Sequence, residues 1–244
     1  VALGAVAAIV ALALWLAIRP DRADEARRRA GPELHRAFQR VGSSLGSPAF
    51  IRIFKESRTL ELWVQSASRY VLLKKYPICR ISGELGPKTA RGDLQAPEGL
   101  YAVTSSQLNP RSRFYLALNL GYPNEFEAAR GFTGDALMIH GNCVSIGCYA
   151  MGDEAIAEIF TVVREALRAG QEAVPVQALP FPLTTQNLAR HENSEHREYW
   201  RSLEPAYRFF ESDRIPPRVS VSASGYRILG RGQPTSAGGS GAPE

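Results

Sequence analysis

The stretch that most constrains this chain runs from Leu137 to Met151, L-M-I-H-G-N-C-V-S-I-G-C-Y-A-M. Its apolar opening, Leu137, Met138 and Ile139, reads as the end of a buried strand, and His140 stands where that strand runs out. Gly141, Ser145 and Gly147 then make a tight loop that Cys148 closes. Beyond the loop, Asp153 can cap an amphipathic helix whose apolar positions Ile156, Ile159, Phe160 and Val163 keep helical spacing. Strand, glycine-bearing loop and helix therefore carry a thiol and an imidazole on one short segment. That arrangement suits a cysteine nucleophile with a histidine base.

The chemistry asks for those residue types. Thiolate is the attacking species, and an ordinary cysteine (pKa ~8.5) is mostly protonated at neutral pH. His140 can accept the proton and form a thiolate–imidazolium pair. The backbone N–H groups of Gly147 and Cys148 can face a developing oxyanion, and the Gly141 carbonyl can fix the histidine tautomer. Other readings use the same atoms. A buried cysteine is often only a small hydrophobe. His140, Cys143 and Cys148 give H-x2-C-x4-C, an open Cys₂His zinc set without an apparent fourth ligand. His191 and His196 are five apart and so not on one helical face; they and His35 read as surface or structural histidines. Three cysteines are an odd number, so one thiol stays unpaired within the monomer. A Cys79–Cys143 bridge leaves Cys148 free and a Cys143–Cys148 bridge disables it; sequence leaves both open.

The rest of the chain frames that loop. Residues 1–18 carry no charge and as a helix would be about 27 Å long, enough to cross a hydrocarbon core. They read as an export signal or, since the run is long for a signal, a membrane anchor. Arg19, Arg22 and Arg27 to Arg29 on its far side oppose export of the rest under the positive-inside rule. Residues 19–48 read as a helical spacer and linker, broken at Gly42-Ser43-Ser44. From Phe50 the period changes to two: Phe50–Phe54 and Leu60–Val64 form a hairpin around Glu56-Ser57-Arg58. Tyr70–Ile81 reads as a strand pair or one long bent strand, and 82–98 as a long loop. Gly99–Thr104, Phe114–Gly121 and Leu137–His140 are further strands, and Val174–Leu179 another. Thr184 can cap a short turn. Ser194 can cap a helix over 195–211 with Tyr199, Trp200, Leu203, Tyr207 and Phe210 along one stripe. Residues 219–229 read as an edge strand, and 230–244, rich in Gly, Ser, Pro and Ala, as disordered. The net charge of +5 permits an anionic surface as partner. No dense basic block interleaved with aromatics points to nucleic acid.

Two ordered motifs bear a resemblance to a known family. His140-Gly141 followed by Ser145-Ile146-Gly147-Cys148 resembles the catalytic signature of the L,D-transpeptidase (YkuD) domain. Ala96-Pro97-Glu98-Gly99-Leu100-Tyr101 resembles that family's upstream Thr-Pro-x-Gly-x-Phe/Tyr element. The stretch from Gly86 to Met151 is similar to the murein-acting YafK-like branch, and the resemblance runs from roughly Phe50 to Phe210. There are departures. The family's usual second histidine is Ile146 here, its usual arginine is Ala150, and the gap between His140 and the Ser-x-Gly-Cys is short.

The resemblance implies an α+β fold with a mainly β, sandwich-like body at 49–183 and a C-terminal helical extension at 184–229. It implies acyl transfer on peptidoglycan stem peptides through a thioester on Cys148, with His140 as proton donor and acceptor and no cofactor. Gly141 and Gly147 would serve through their backbones, and Ser145, Tyr149, Glu98, Arg91 and Lys88 are candidate substrate contacts. The same site used with water would be an amidase releasing protein or peptide from murein, a wall-linked lipoprotein among its partners. A catalytically dead wall-binding module is the non-enzyme alternative. Either membrane reading of 1–18 places the body in the bacterial envelope, anchored in the inner membrane on the periplasmic side.

Overall fold

The computed structural model describes residues 21–231. The segment at 1–18, with its anchor or signal reading, and the tail after Arg231 lie outside the described residues. Among the described residues no helix is long and apolar enough to cross a membrane.

Period-two patterning produces a five-stranded sheet from β1 (Ala49–Phe54), β2 (Thr59–Ser66), β3 (Arg69–Pro77), β4 (Gly99–Val103) and β9 (Val174–Leu179), in the order β3-β2-β1-β9-β4. Strand β9 runs parallel to β1 and antiparallel to β4. Alternation sorts the strands into two faces. Ile51, Ile53, Val176 and Ala178 join one apolar cluster with helices α1 (Arg22–Arg40) and α3 (Asp153–Arg168). Phe54, Leu100 and Leu179 join a second, under Trp200, Leu203 and Tyr207 of α5 (Arg197–Asp213). Helix α1 is docked: Ala26, Leu34 and Phe38 are buried in the same cluster as α3.

The second sheet is built from short strands, β5 (Leu108–Asn109), β6 (Ala117–Asn119), β7 (Met138–His140) and β8 (Tyr149–Ala150), in that order. Helix α3 leaves β8, packs on β6 and β7, and also packs on β1 and β9. Its Ile156, Ile159, Phe160 and Val163 are all buried, as their spacing predicts. One helix thus ties both sheets to the loop that carries Cys148. Short helices α2 (Glu125–Ala128) and α4 (Thr185–Arg190) complete the body, and Thr184 caps α4 by accepting from the Asn187 N–H.

Several sequence expectations need correction. The class is mixed α+β: strand outweighs helix within the body at 49–183, and α1 and α5 flank it on either side. The strand expected over Phe114–Gly121 shrinks to β6, because Tyr115 takes φ +70° and turns the chain out of extended geometry. Pro77 ends β3, after which Arg80 crosses to the other sheet and bridges Ala150. The edge strand expected at 219–229 is instead a hairpin, β10 (Pro217–Ser222) with β11 (Gly225–Arg231), paired only with itself. Its turn, Ala223-Ser224, is set by the Ser-Gly sequence around it. β11 also takes Gly230 and Arg231 out of the tail read as disordered. Helix α5 starts after His196 rather than at a Ser194 cap. Gly152 precedes α3, and the Asp153 carboxylate reaches back to accept the Asn142 N–H at 2.7 Å.

Candidate active site

Strand pairing sets the imidazole. His140 is opposite Ala117 of β6 on one side and opposite Ala150 of β8 on the other. These three residues face away from the core that takes Ile139, Leu118 and Tyr149, and the two alanines leave room for the ring between them. Nδ1 of His140 lies 2.6 Å from the Gly141 carbonyl. A carbonyl only accepts, so Nδ1 carries the proton and Nε2 keeps its lone pair. Phe114 stacks on the ring, centroids 4.6 Å apart at 28°. Position 141 admits only glycine: an added Cβ would sit 2.7 Å from both the Asp153 carboxylate and the Phe114 carbonyl.

Cys148 stands two residues before Ala150, on the diagonal from His140 across the β7–β8 pair. Its Sγ lies 3.7 Å from the Ala136 carbonyl. Gly147 before it takes φ +136°, a conformation L side chains rarely adopt, and brings the loop against the Gln95 backbone. Cys79 and Cys143 are joined by a disulfide, Cα to Cα 5.4 Å, and Cys148 is the free thiol. The bridge removes two of the rival readings. Cys143 is not bonded to Cys148, and its sulfur is no longer available to the zinc set. It also staples the Cys148 loop to the segment where Arg80 pairs with Ala150, N to O 3.1 and 3.0 Å.

The electrostatics differ from the expected ion pair. Burial pushes the Cys148 thiol up, against smaller lowering contributions from the Met138 amide and Lys88. Burial pulls His140 down, opposed by the Gly141 carbonyl. Both shifts favour the uncharged forms, a neutral thiol at Cys148 and a neutral imidazole at His140. The N–H groups expected to face an oxyanion are also engaged: Ser145 Oγ accepts from Gly147 N at 3.2 Å and Cys148 N at 2.9 Å. Its own proton goes to the Cys148 carbonyl at 2.7 Å. A serine hydroxyl closing a three-residue turn satisfies those donors locally. Ser145 is thereby a brace of the loop.

A consequence can be measured. Iodoacetamide should alkylate Cys148 in the folded, unreduced chain more slowly at pH 7 than a cysteine in an unstructured peptide. The rate should keep rising past the usual thiol range, and unfolding in guanidinium should restore the ordinary profile. A midpoint below the peptide's value would contradict the neutral resting pair.

The loop expected to meet substrate divides into inner and outer residues. Glu98 is fully buried. Its carboxylate holds Lys55 at 3.1 Å, the Gly86 N–H at 2.8 Å and Trp200 Nε1 at 2.7 Å, so it is an anchor and not a substrate contact. Tyr149 is buried too, its hydroxyl donating to the Pro97 carbonyl. Lys88 is buried against Asp93 and the Ala90 carbonyl, near enough to Cys148 to act on its charge. Arg91 is exposed and grips Asp135 through both terminal nitrogens at 3.2 and 3.0 Å, tying this loop to the one ending at Ala136. Sequence reading missed Lys55, which looks like a solvated turn residue after β1, and Phe114, which looks like a strand residue. It also missed Arg80, an exposed guanidinium with no ion-pair partner among the described residues, directly across from Ala150.

The model of the YkuD family, the L,D-transpeptidase catalytic domain, matches residues 48–177. The curated protein named "Putative L,D-transpeptidase YafK" from Escherichia coli strain K12 is 50% identical over 184 residues, 75% of this chain and 75% of that protein. The protein of the same name from Escherichia coli O157:H7 gives the same figures. Among solved structures, the helical cell shape determining protein Pgp2 from Campylobacter jejuni is 17% identical with a TM-score of 0.43, covering 78% of this chain and 80% of that one. On the family match and the half-identical relatives, this chain belongs to the L,D-transpeptidase catalytic domain (YkuD) family.

Proposed function

We propose that the chain is a cysteine-dependent acyltransferase acting on peptidoglycan stem peptides. Nε2 of His140 takes the Cys148 proton as Sγ attacks the carbonyl at the L-centre of the diamino acid. The C–N bond breaks, the departing amine takes that proton from His140, and a thioester remains on Sγ. An incoming amine then loses a proton to His140 and attacks the thioester, and the thiol leaves reprotonated. With water as acceptor the same steps release peptide or protein from murein. The observation that supports this reading most is the division of the three cysteines: the bridge takes Cys79 and Cys143 and leaves Cys148 free on the loop beside His140. General-base activation of a neutral thiol follows from the burial of both groups. The half-identical relatives support a place in the cell envelope, with the body at 49–183 as catalytic unit and 184–229 as its extension; anchoring through 1–18 is part of the proposal.

Incubation with muropeptides and with protein-linked murein tests the reading and its direction. New cross-linked species support transfer, released peptide or protein supports hydrolysis, and neither product leaves the wall-binding module. Recognition of a substrate carboxylate falls to Arg80, since Ala150 offers no charge. Arg80→Ala should raise KM for a carboxylate-bearing stem peptide about tenfold with kcat little changed, and Arg80→Lys should recover part of it. An unchanged KM would remove Arg80 from the site.

A further inference from the structure

The bridge between Cys79 and Cys143 lies where the fold has little need of it. Among the described residues neither cysteine belongs to an apolar cluster, and both are exposed. Disulfides hold a fold together chiefly in small domains that cannot build a sufficient core. Here both faces of the five-stranded sheet are already packed. What the bridge does hold is the loop leading to Cys148.

From Cys143 to Gly147 that loop has few ties to the body. Among the described residues its hydrogen bonds stay local: Cys143 N donates to Asn142 Oδ1, and Ser145 Oγ closes on Gly147 and Cys148. Val144 is 52% exposed and Ile146 80%, so side-chain packing does not fix the loop either. The other end of the bridge is held firmly. Ile78 is buried and its N–H donates to the Arg58 carbonyl at 2.8 Å, while Arg80 is paired with Ala150 in both directions. Cys79 stands between these two anchored residues and passes their position to Cys143. One bond thereby couples the loop of the thiol to the segment of Arg80, the two parts that the proposed reaction needs in register.

Resting on the reading of Cys148 as nucleophile, we infer that the Cys79–Cys143 disulfide is a positioning element whose oxidation state sets the rate at Cys148. Its exposure makes it reducible, since exposed disulfides are the labile and regulatory ones. A thiolate of a dithiol reductant attacks one sulfur of the bridge, and the other cysteine leaves as a thiolate and takes a proton. The second thiol of the reductant then displaces the first cysteine from the mixed disulfide. Two electrons and two protons have passed to the protein, which holds two thiols, and the reductant ends as a cyclic disulfide. Cys148 is then placed by the main chain and by Gly147 against Gln95, without the clamp at Cys143. A displacement of about 1 Å in reacting atoms costs on the order of 10²-fold in rate.

The test compares the full chain in three forms. These are the oxidised parent, the parent reduced with dithiothreitol that is then removed without air, and Cys79→Ser/Cys143→Ser, which keeps Cys148 as its one thiol. Amide hydrogen exchange at Arg80 and Ala150 should be about tenfold faster in the two open forms, with β1 and β9 unchanged. On muropeptides kcat should fall roughly ten- to hundredfold and KM should rise, and reoxidation should restore the reduced parent. The rise in KM separates positioning from loss of folded enzyme, because an unfolded fraction lowers kcat alone. Iodoacetamide should reach Cys148 of the double variant roughly fivefold faster than in the oxidised parent, because the loop opens. The inference is overturned if kcat and KM of the open forms stay within about twofold of the oxidised parent. It is equally overturned if exchange quickens throughout both sheets, which would make the bridge a support of the whole fold. Should no form turn over muropeptides, the nucleophile reading fails by itself; equal exchange and equal alkylation across the forms would then still overturn the positioning role.

Discussion

Cys148→Ala should lose all covalent capture of a carbapenem. Ring opening of the β-lactam by a thiol adds the whole inhibitor mass, so intact mass spectrometry of the unreduced protein gives one adduct on the parent and none on the variant. Turnover of muropeptides should fall below detection with it. His140→Ala, which keeps the thiol but removes the acceptor for its proton, should slow acylation roughly 10²–10⁴-fold at pH 7. The thiol is pushed up by burial, so little thiolate exists without the imidazole. The His140→Ala deficit should therefore shrink as pH rises toward the thiol's own ionisation. Capture persisting in Cys148→Ala, or an absence of capture in the parent, would sink the nucleophile assignment and leave a wall-binding module.

Glu98→Ala should be the most destabilising single change at a charged position. It strands the Lys55 ammonium, whose side chain is 2% exposed, with only the Gly86 and Ala96 carbonyls at 2.8 and 3.0 Å. It also leaves the Gly86 N–H and Trp200 Nε1 without their acceptor. Breaking one side of a buried pair costs about 3–5 kcal/mol. Replacing both partners by apolar residues, Lys55→Met with Glu98→Leu, should recover most of the loss, because no charge is then left unpaired. Urea melts decide it: a loss under about 1 kcal/mol for Glu98→Ala would mean water replaces the carboxylate. The effect should reach activity as well, since the chain from Gln95 to Pro97 backs Gly147 and receives the Tyr149 hydroxyl.

The two cases show where sequence was sufficient. The strand–loop–helix around Cys148 could be read from local pattern, because periodicity, glycine and a helix start are properties of neighbouring residues. The helix stripe Ile156, Ile159, Phe160 and Val163 and the β1–β2 hairpin were legible for the same reason. Glu98 was read as a substrate contact because a carboxylate on a long polar loop looks solvated. Its partners, Lys55 and Trp200, lie far away in the chain, and no local pattern reports such a pairing. Phe114 failed in the same direction: it alternates like a strand residue, yet the left-handed turn at Tyr115 sends its ring onto His140. Ser145 failed more subtly, since spacing predicts free amides at Gly147 and Cys148 but not the hydroxyl that takes them.

What the chain alone determined is the inventory and its local order: one histidine at a strand end, glycines where backbone must come close, and three thiols of which one had to stay single. Only the fold decided which thiol that is, by setting the Cys79 and Cys143 backbones 5.4 Å apart across 64 residues. It likewise decided that thiol and imidazole rest uncharged, because desolvation depends on everything packed around a group and not on its neighbours in sequence.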